Sequence, residues 1–344
     1  MEEATKRVRA VIIGCGAIHT MHADALAAMP DAEIVGFADI DLPRAQTAAE
    51  SYGGRAYADY QEMLAKEQPD VVHICTPHYL HEPMAVYAME HGCDVFCEKP
   101  MAITVEGALH MQNAAVKSNR RLGICFQNRF RLCAQTAMQK LKSGDLGHIL
   151  GAKAEMTWNR DMDYYRSGPW RGLWKTEGGG VLINQSIHTL DLLDQFCGGF
   201  SSVHAHVARY MLQDPYEVED TAIANFMLPS GGNALFFVTN CYASSTPPTI
   251  CVVCEHGTLT LDNELLIEYA DGHRENYSDP TGGTNGKPDW GHCHRKAIAC
   301  FYSCCKTGAP FPIGPEQGIR TIRLIDAIYH SSMDNKDIHI SEIN

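Results

Sequence analysis

The apolar and polar positions follow two different patterns along the chain, and the change comes near residue 126. Before it, short continuous apolar runs alternate with amphipathic segments. The runs predict strands at 8–13, 33–39, 71–75, 94–97 and 122–126, and the segments predict helices at 60–66, 82–91 and 104–117. Continuous apolar strands separated by helices are typical of a parallel sheet that is covered on both faces.

Beyond residue 126, a predicted helix is followed by consecutive runs with β character and then by two more helices. The predicted strands are 149–158, 203–211, 221–227, 233–242, 250–254 and 259–267, and the predicted helices are 131–142, 291–306 and 315–331. Strands that follow one another without intervening helices predict an antiparallel sheet.

A chain of 344 residues exceeds what one core usually supports, so two domains are expected. The sequence therefore predicts an α/β protein with a parallel-sheet domain at 1–125. A C-terminal α+β domain at 126–344, with a large, mainly antiparallel open sheet, is predicted to follow it.

The first predicted strand runs directly into a G-x-G turn, which is how a Rossmann domain presents its first helix to a dinucleotide. Gly14 would make the tight turn, and Gly16 would let the backbone approach the pyrophosphate. Ala17 and Ile18 would then open a helix whose free N–H groups and dipole favour phosphate. His19 stands where Gly or Ala is usual, so the prediction depends on the motif's position after the first strand.

The second predicted strand ends in Asp39, 23 residues after Gly16. A carboxylate at this place accepts hydrogen bonds from ribose hydroxyls and repels a 2′-phosphate, so NAD is favoured over NADP. Ile40 follows where an Arg would be needed for the phosphate, and Arg44 is interpreted as a solvated surface residue. The alternative for Asp39 is an N-cap of the next helix.

Further candidates follow the carboxyl ends of the other predicted strands, where ligands bind in parallel sheets. They are Thr76, Pro77 and His78 after one strand, Glu98 and Lys99 after the next, and Gln127 and Asn128 after the last. These residues are the candidates for contacts to a cofactor and to the reacting part of a substrate.

Residues 159–179 show no clear periodicity, which is unusual inside a compact domain unless the segment has a function. Its aromatic and basic side chains suit the apolar faces and hydroxyl edges of a sugar ring. They are Tyr164, Tyr165, Trp170, Arg171 and Trp174. Packing of these aromatic residues onto a sheet is the competing interpretation.

After this segment, three glycines at 178–180 lead into a predicted helix that carries Asn184, His188 and Asp191. The i, i+4, i+7 spacing predicts an amide, a titratable base and a carboxylate on one helix face. A core role is the alternative for His188, but the glycines and the polar character of that face favour a functional site.

Oxidation of a secondary alcohol with NAD requires a base for the hydroxyl proton. Lys99 and His188 are the two candidates. Desolvation and the positive nicotinamide would favour the neutral amine of Lys99. A solvated loop lysine is the alternative interpretation.

A formal charge of −13 disfavours nucleic acid and anionic membrane surfaces as partners, so a small, neutral or weakly charged substrate is expected. No apolar run reaches the roughly 18 residues of a transmembrane span. The N-terminal residues lack the apolar core of a signal peptide. A cytoplasmic protein is therefore expected.

The 14 cysteines fall mostly in apolar strands or helices, where free thiols behave as small hydrophobic side chains. Cys251 and Cys254 have C-x-x-C spacing, but a strand would point them to opposite faces. His292, Cys293 and His294 open a predicted helix on which only one or two of them could converge. No metal site is therefore predicted.

These motifs resemble the Gfo/Idh/MocA oxidoreductases, which include glucose–fructose oxidoreductase and inositol dehydrogenase. The resemblance covers nearly the whole chain, and Glu98-Lys99-Pro100 together with the triple-glycine helix is its specific part. It is carried by the G-x-G turn with His22 shortly after it, Thr76-Pro77 with His81, Glu98-Lys99-Pro100, the triple-glycine helix with His188 and Asp191, and Gly291-His292.

The resemblance implies an NAD-binding Rossmann domain and hydride transfer at a ring carbon of a sugar, glycoside or cyclitol. Lys99 and His188 would bind the reacting hydroxyl. The open sheet of the second domain often forms the oligomer interface, here of a homodimer or homotetramer.

The sites are predicted as follows. The cofactor site would comprise Gly14, Gly16, Ala17, Ile18, Asp39, Thr76, Pro77, His78, His81, Glu98, Lys99 and Gln127. The substrate site would comprise Lys99, Asn128, Tyr165, Trp170, Arg171, Asn184 and His188, of which Lys99, His188 and Asn184 would be catalytic.

Two positions depart from the family's pattern. Many members have Asp at the position of Asn184, where a carboxylate supports proton transfer. An amide only hydrogen-bonds and orients, so the base would be His188 or Lys99. His78 stands where Asn is common, and its role stays open.

Two other functions also stay open. One is a glycosidase or lyase that retains NAD and works by transient oxidation, elimination and re-reduction. The other is a non-catalytic sensor on the same fold, against which the presence of Lys99 and His188 argues.

Overall fold

The computed structural model describes residues 7–280 and 292–342. These residues form two compact units. Unit 1 comprises 7–102, 106–127 and 292–319, and unit 2 comprises 103–105, 128–280 and 320–342. Gly291, part of the sequence resemblance, lies outside the described residues, and the domain boundary at residue 125 stays a prediction.

Through residue 125, strands and helices alternate as the sequence predicts. The strands are β1 (Val8–Ile13), β2 (Ala32–Ala38), β3 (Arg55–Tyr57), β4 (Val71–Ile74), β5 (Asp94–Glu98) and β6 (Leu122–Cys125). The helices are α1 (His19–Ala27), α2 (Leu42–Tyr52), α3 (Tyr60–Glu67), α4 (His81–Glu90) and α5 (Val105–Ser118).

The remaining elements are mainly strands. The strands are β7 (Ile149–Thr157), β8 (Ser202–Ala208), β9 (Thr221–Met227), β10 (Asn233–Thr239), β11 (Thr249–Cys254), β12 (Gly257–Leu261), β13 (Glu264–Tyr269), β14 (Arg274–Ser278) and β15 (Ile338–His339). The helices are α6 (Leu132–Ser143), α7 (Met162–Arg166), α8 (Trp174–Glu177), α9 (Ile187–Cys197), α10 (His292–Thr307) and α11 (Pro315–Asp334).

Unit 1 contains a six-stranded sheet in the order β3-β2-β1-β4-β5-β6, and all its strand pairs are parallel. Strands β4, β5 and β6 are buried along their full length, which explains their continuous apolar sequences. The strand order reverses between β1 and β4, where doubly wound sheets bind ligands at the carboxyl ends of their strands. The predicted Rossmann architecture is confirmed.

Unit 2 contains a nine-stranded sheet in the order β14-β13-β12-β11-β7-β10-β9-β8-β15. Among the described strands of this sheet, only β7 and β10 pair in parallel, so the predicted mainly antiparallel sheet is confirmed. Helices α6 and α9 contact the sheet. Burial alternates along β9 and β10, and exposed apolar residues on these strands are Ile223, Met227 and Leu235.

The strand predicted at 259–267 is wrong, because the structure divides it into β12 and β13. The Asp262 side chain accepts a hydrogen bond from the Glu264 amide at 2.9 Å, and the Asp262 amide donates to the Glu264 carbonyl at 2.9 Å. This local turn reverses the chain within an apolar run.

No helix among the described residues is long and apolar enough to cross a membrane.

Candidate active site

The G-x-G turn follows β1 in unit 1. Gly14 has φ of +92°, and a Cβ placed there would lie 2.7 Å from the Cys75 carbonyl oxygen, so only glycine fits. A Cβ on Gly16 would meet nothing within 4 Å, which leaves space beside the turn. Helix α1 begins at His19 without an acidic residue in its first turn. The turn therefore fits a dinucleotide pyrophosphate.

Asp39 connects the end of β2 to this turn. Its Oδ2 accepts a hydrogen bond from the Cys15 amide at 2.7 Å, and its Oδ1 accepts one from the Asp41 amide at 2.9 Å. The N-cap of α2 is Asp41, whose carboxylate also pairs with Arg44 at 3.1 Å. Each carboxylate oxygen has a further lone pair, so Asp39 can still accept bonds from ribose hydroxyls.

His81 links the backbone segments that follow β4 and β5. Its Nδ1 lies 2.7 Å from the Pro100 carbonyl oxygen and its Nε2 lies 2.9 Å from the Thr76 carbonyl oxygen. Burial lowers the pKa of His81, and its hydrogen bonds to the two carbonyl groups oppose this effect. These contacts fix the Glu98-Lys99-Pro100 segment, in which only Lys99 keeps partial exposure.

Glu98 belongs to a chain of buried polar side chains. The Tyr302 hydroxyl lies 3.0 Å from His73 Nε2, and His73 Nδ1 lies 2.9 Å from His22 Nδ1. His22 Nε2 lies 3.0 Å from Glu98 Oε1. With neutral imidazoles, Tyr302 donates to His73 and His73 donates to His22. His22 then donates to Glu98, so every bond points towards the carboxylate.

The hydrogen-bonded side chains described above, together with their surroundings, stabilise the negative charge on Glu98. Burial alone would raise the pKa of this carboxyl, but the hydrogen bond from His22 lowers it overall, with smaller electrostatic effects from His294 and Lys99. Burial lowers the pKa of His73 well below its usual value and so favours its neutral form.

The ligand-type atoms of His22, Glu98 and Cys125 lie within 4.8 Å of one another. Since His22 and Glu98 are already bonded to each other, we interpret this group as part of the hydrogen-bonded chain. All 14 cysteines are free. In β11, Cys254 is on the buried face and Cys251 is on the other, which explains why this C-x-x-C pair does not converge.

Asn184 and His188 lie in unit 2 on the segment that follows the three glycines. Residues Val181–Gln185 form a π-helical turn, a feature frequent at functional sites, and α9 follows it. Between residues 179 and 194, all of which are described, only Asn184 and His188 keep partial exposure. The segment therefore presents an amide and an imidazole.

Asp191, the third polar residue of the predicted helix face, is buried in an ion pair. Arg129 donates to its two carboxylate oxygens at 2.7 and 2.5 Å, and the Thr321 hydroxyl lies 3.3 Å from it. This bidentate pair fixes the orientation of α9 within unit 2. The exposed part of the predicted face consists of Asn184 and His188 only.

The segment at 159–179 includes the short helices α7 and α8, and its arginines stack with aromatic rings. The Arg171 guanidinium lies 4.3 Å from the ring centre of Tyr164 and 4.5 Å from that of Trp170. The Arg160 guanidinium lies 4.7 Å from the ring centre of Trp158. These cation–π contacts hold Trp170 and Arg171 in a partly exposed stack.

Tyr165 lies in the core of unit 2, with 1 % of its surface exposed. It packs against Leu212 and Val218, and its hydroxyl oxygen lies 3.1 Å from Asn240 Nδ2. The packing interpretation accounts for this residue, and its contact to a substrate stays a prediction.

Glu177, the residue before the three glycines, is fully buried against Asn184. Its Oε1 accepts a hydrogen bond from Asn184 Nδ2 at 2.5 Å, and its Oε2 accepts one from the Gly172 amide. Asn184 Nδ2 also lies 3.2 Å from the Tyr164 hydroxyl oxygen. The side chain of Asn184 is therefore oriented by two neighbours.

Glu219 holds the start of the π-helical turn. Its two carboxylate oxygens accept hydrogen bonds from the Gly180 and Leu182 amides, both at 2.9 Å. Burial raises the pKa of Glu219 to about 7, although these two amide bonds oppose the effect. A Cβ at Gly180 would collide with the Glu219 carbonyl oxygen, so the glycine is required for this approach.

Comparison with known proteins agrees with these features. Residues 8–126 match the oxidoreductase family model with an NAD-binding Rossmann fold, and residues 134–260 match the GFO/IDH/MocA C-terminal domain. The chain belongs to the GFO/IDH/MocA oxidoreductase family. It is an NAD-dependent dehydrogenase, as the resemblance in its sequence predicts.

Among curated members of this family, the chain is 34 % identical to the D-glucoside 3-dehydrogenase of Escherichia coli K12, over 65 % of this chain and 68 % of that protein. It is 25 % identical to the D-apiose dehydrogenase of Paraburkholderia graminis, over 98 % of this chain and 91 % of that protein.

The fold is also similar to that of a solved dehydrogenase structure. The WlbA dehydrogenase from Bordetella pertussis, in complex with NADH and UDP-GlcNAcA, superposes with a TM-score of 0.84 at 27 % identity. The alignment covers 97 % of this chain and 99 % of that one.

Sequence reasoning missed the two carboxylates that hold the segment on which Asn184 and His188 lie. Glu177 precedes the three glycines, and that position is the signal that could have identified it. Glu219 contacts the glycine segment from 39 residues away. Such a long-range pairing leaves no pattern in a single sequence.

Proposed function

We propose that this dehydrogenase oxidises a secondary ring hydroxyl of a sugar, glycoside or cyclitol. The observation that carries the proposal is that Asn184 and His188 alone stay partly exposed on an otherwise buried segment of the family's C-terminal domain. The similarity to a D-glucoside 3-dehydrogenase favours a substrate of this class.

Two side chains are proposed to handle the hydroxyl proton. Bound nicotinamide supplies the acceptor for the hydride that leaves the ring carbon. The hydroxyl proton passes to Lys99 or His188, each a base when neutral, and the ring carbon becomes a carbonyl carbon. Asn184 orients the substrate, because an amide does not take up this proton.

The proposed cofactor contacts come from the strand ends of unit 1. Gly14, Gly16, Ala17 and Ile18 would approach the phosphates, and Asp39 would bind the ribose of the adenosine half. Thr76, Pro77, His78, His81, Glu98, Lys99 and Gln127 would lie along the nicotinamide half.

The proposed sugar contacts add Trp170 and Arg171 to Asn184 and His188. The stacked, partly exposed guanidinium and indole offer hydrogen-bond donors beside an apolar face, which suits a ring that carries hydroxyls. Asn128, which follows Gln127 in a short 3₁₀ turn, completes the proposed contacts, and Tyr165 would support the substrate site from the core of unit 2.

We also propose that copies of the chain associate through the nine-stranded sheet as a homodimer or homotetramer. Exposed apolar side chains on β9 and β10 support this interface, because contiguous apolar surface favours association.

The function is tested by incubating the purified protein and NAD with a panel of sugars, glycosides and inositols. We expect NADH absorbance to rise with at least one of them, together with one keto-sugar or keto-cyclitol per NADH. Release of aglycone without net NADH would instead indicate the redox-assisted glycosidase. Binding without either product would indicate a sensor.

A further inference from the structure

Glu177 has no part in the reaction proposed above, yet it is fully buried. Burying a charged carboxylate lowers the stability of the fold unless the charge is compensated. A buried carboxylate needs hydrogen-bond donors on its oxygens. Here one oxygen accepts from the Gly172 amide and the other accepts from Asn184 Nδ2. A single side chain thus connects the stacked part of the 159–179 segment to the turn that carries Asn184.

The contact also determines which way the Asn184 amide is turned. An ionised Glu177 carboxylate accepts both N–H groups and has no proton to donate. The NH₂ group of Asn184 must therefore face Glu177, since the reverse orientation would bring two oxygen atoms together. The Tyr164 hydroxyl oxygen holds the same NH₂ group from a second side.

The Tyr164 hydroxyl oxygen is itself held in place. Gln185 Nε2 donates to it at 2.8 Å, and the Arg171 guanidinium also donates to it. The Gln185 side chain in turn accepts a hydrogen bond from Asn240 Nδ2 at 3.1 Å. The nitrogen of the Asn184 amide is thus fixed, and its carbonyl oxygen Oδ1 lies on the opposite side.

We propose that Glu177 is a positioning residue for the oxidation, and this proposal rests on the proposed function. By holding Nδ2 of Asn184, Glu177 makes Oδ1 the atom that faces the substrate. Oδ1 then accepts a hydrogen bond from a substrate hydroxyl other than the one that loses its proton. Asn184 thereby selects a substrate ring that carries a free hydroxyl group within hydrogen-bond distance of Oδ1.

A charge swap between the two residues tests the proposal. In Glu177→Gln, the new side chain has one acceptor oxygen for two donors, the Gly172 amide and Asn184 Nδ2. In Asn184→Asp, two carboxylates face each other. In the double variant Glu177→Gln/Asn184→Asp, the glutamine can accept from Gly172 and donate to the aspartate, so each group regains a partner.

We expect each single variant to lower kcat by about 10- to 100-fold, the effect of losing a hydrogen bond to a charged group. The KM for NAD should stay near the wild-type value. The double variant should recover at least about tenfold in kcat over Asn184→Asp. Glu217→Gln is the matched control, because Glu217 is exposed and its carboxylate accepts from the Trp174 backbone.

Stability against pH provides a second readout that needs no substrate. In Asn184→Asp, repulsion raises the pKa of one carboxyl in the folded state, so the folded protein binds more protons than the unfolded chain. Its melting temperature, relative to wild type, should then fall as the pH rises above about 4. The double variant should lose this dependence.

The other ionisable side chains near Glu177 in unit 2 do not produce the same pH dependence of the melting temperature. Burial raises the pKa of Tyr164, Tyr165 and Tyr329, so they stay neutral at acidic and neutral pH. Arg171 stays charged. Burial raises the pKa of Glu219 to about 7, and the comparison with wild type separates its titration from that of position 184.

Equal kinetics and equal pH profiles for Asn184→Asp and the double variant would overturn the proposal. So would wild-type kcat in Glu177→Gln. If the stability coupling appears but the wild-type protein oxidises nothing in the panel, the proposed function fails. The positioning role of Glu177 then fails with it, while its contact with Asn184 stands.

Discussion

The cofactor preference is decided at one residue, Asp39. Asp39→Ala removes the acceptor for the ribose hydroxyls and the charge that repels a 2′-phosphate, so NAD should bind about 10- to 100-fold more weakly and NADP should bind relatively better. Fluorescence titration with both cofactors measures this. Asp41→Ala is the control, because Asp41 is the N-cap residue of α2 and its carboxylate pairs with Arg44. Equal or tighter NADP binding by wild type would refute the assignment.

The identity of the base is also a question of single residues. If His188 takes the proton, the oxidation rate should fall below the ordinary imidazole pKa of about 6.5, because the protonated ring is no base. His188→Asn should then abolish this acidic limb. If Lys99 is the base, the limb should persist in His188→Asn and change only in Lys99→Ala. pH–rate profiles of wild type, of His188→Asn and of the residual activity of Lys99→Ala, all on one accepted substrate, decide between them.

Among single residues, the sequence pattern identified those that directly follow a predicted strand. Gly14 and Asp39 stand at strand ends, where the pattern alone predicts ligand contacts, and the structure places them there. Glu177 and Tyr164 act through hydrogen bonds to Asn184 that depend on the folded loop. The spacing of these residues in the sequence does not predict their hydrogen bonds to Asn184.

The π-helical turn at Val181–Gln185 is the element on which the proposed site depends, and Glu219 holds its start. The folded pKa of Glu219 is raised to about 7. The folded protein therefore binds more protons than the unfolded chain, and the stabilising contribution is lost as the pH rises from about 4.3 to 7. This loss amounts to about 4 kcal/mol of unfolding free energy.

Glu219→Gln should remove most of that pH dependence. Chemical denaturation from pH 4 to pH 8 checks this, with wild type as the reference. The variant should show a flatter curve of unfolding free energy against pH, even if it is less stable throughout because one amide loses its acceptor. Parallel curves for both proteins would show that Glu219 keeps an ordinary pKa.

Element prediction succeeded where burial was uniform and failed where local turns intervened. The buried strands β4, β5 and β6 were predicted within about two residues. The Asp262 turn divided one apolar run into β12 and β13. The short edge strand β3 has too few residues for a periodic signal.

At the scale of the whole molecule, strand order and assembly were the features least accessible from sequence. The orders of the two sheets depend on pairings between distant segments. The family resemblance, more than any pattern, predicted association through the nine-stranded sheet.

Association is tested by placing a charge on the exposed sheet face. Leu235 on β10 is 44 % exposed, and Leu235→Glu should shift the protein to a smaller species in light scattering after size exclusion. Val116→Glu, at a 76 % exposed position on α5, should leave the assembly unchanged. An identical mass for wild type and Leu235→Glu would contradict an interface on this face.

Isotope transfer from the ring carbon to the cofactor tests the proposed oxidation at its reacting atom. An accepted sugar or cyclitol carrying deuterium at the carbon that becomes a carbonyl is incubated with the enzyme and NAD, and the reduced cofactor is analysed by mass spectrometry. We expect one deuterium in each reduced nicotinamide, and almost no reduced cofactor with Lys99→Ala although NAD still binds. Reduced cofactor without deuterium, or full transfer by Lys99→Ala, would contradict the account.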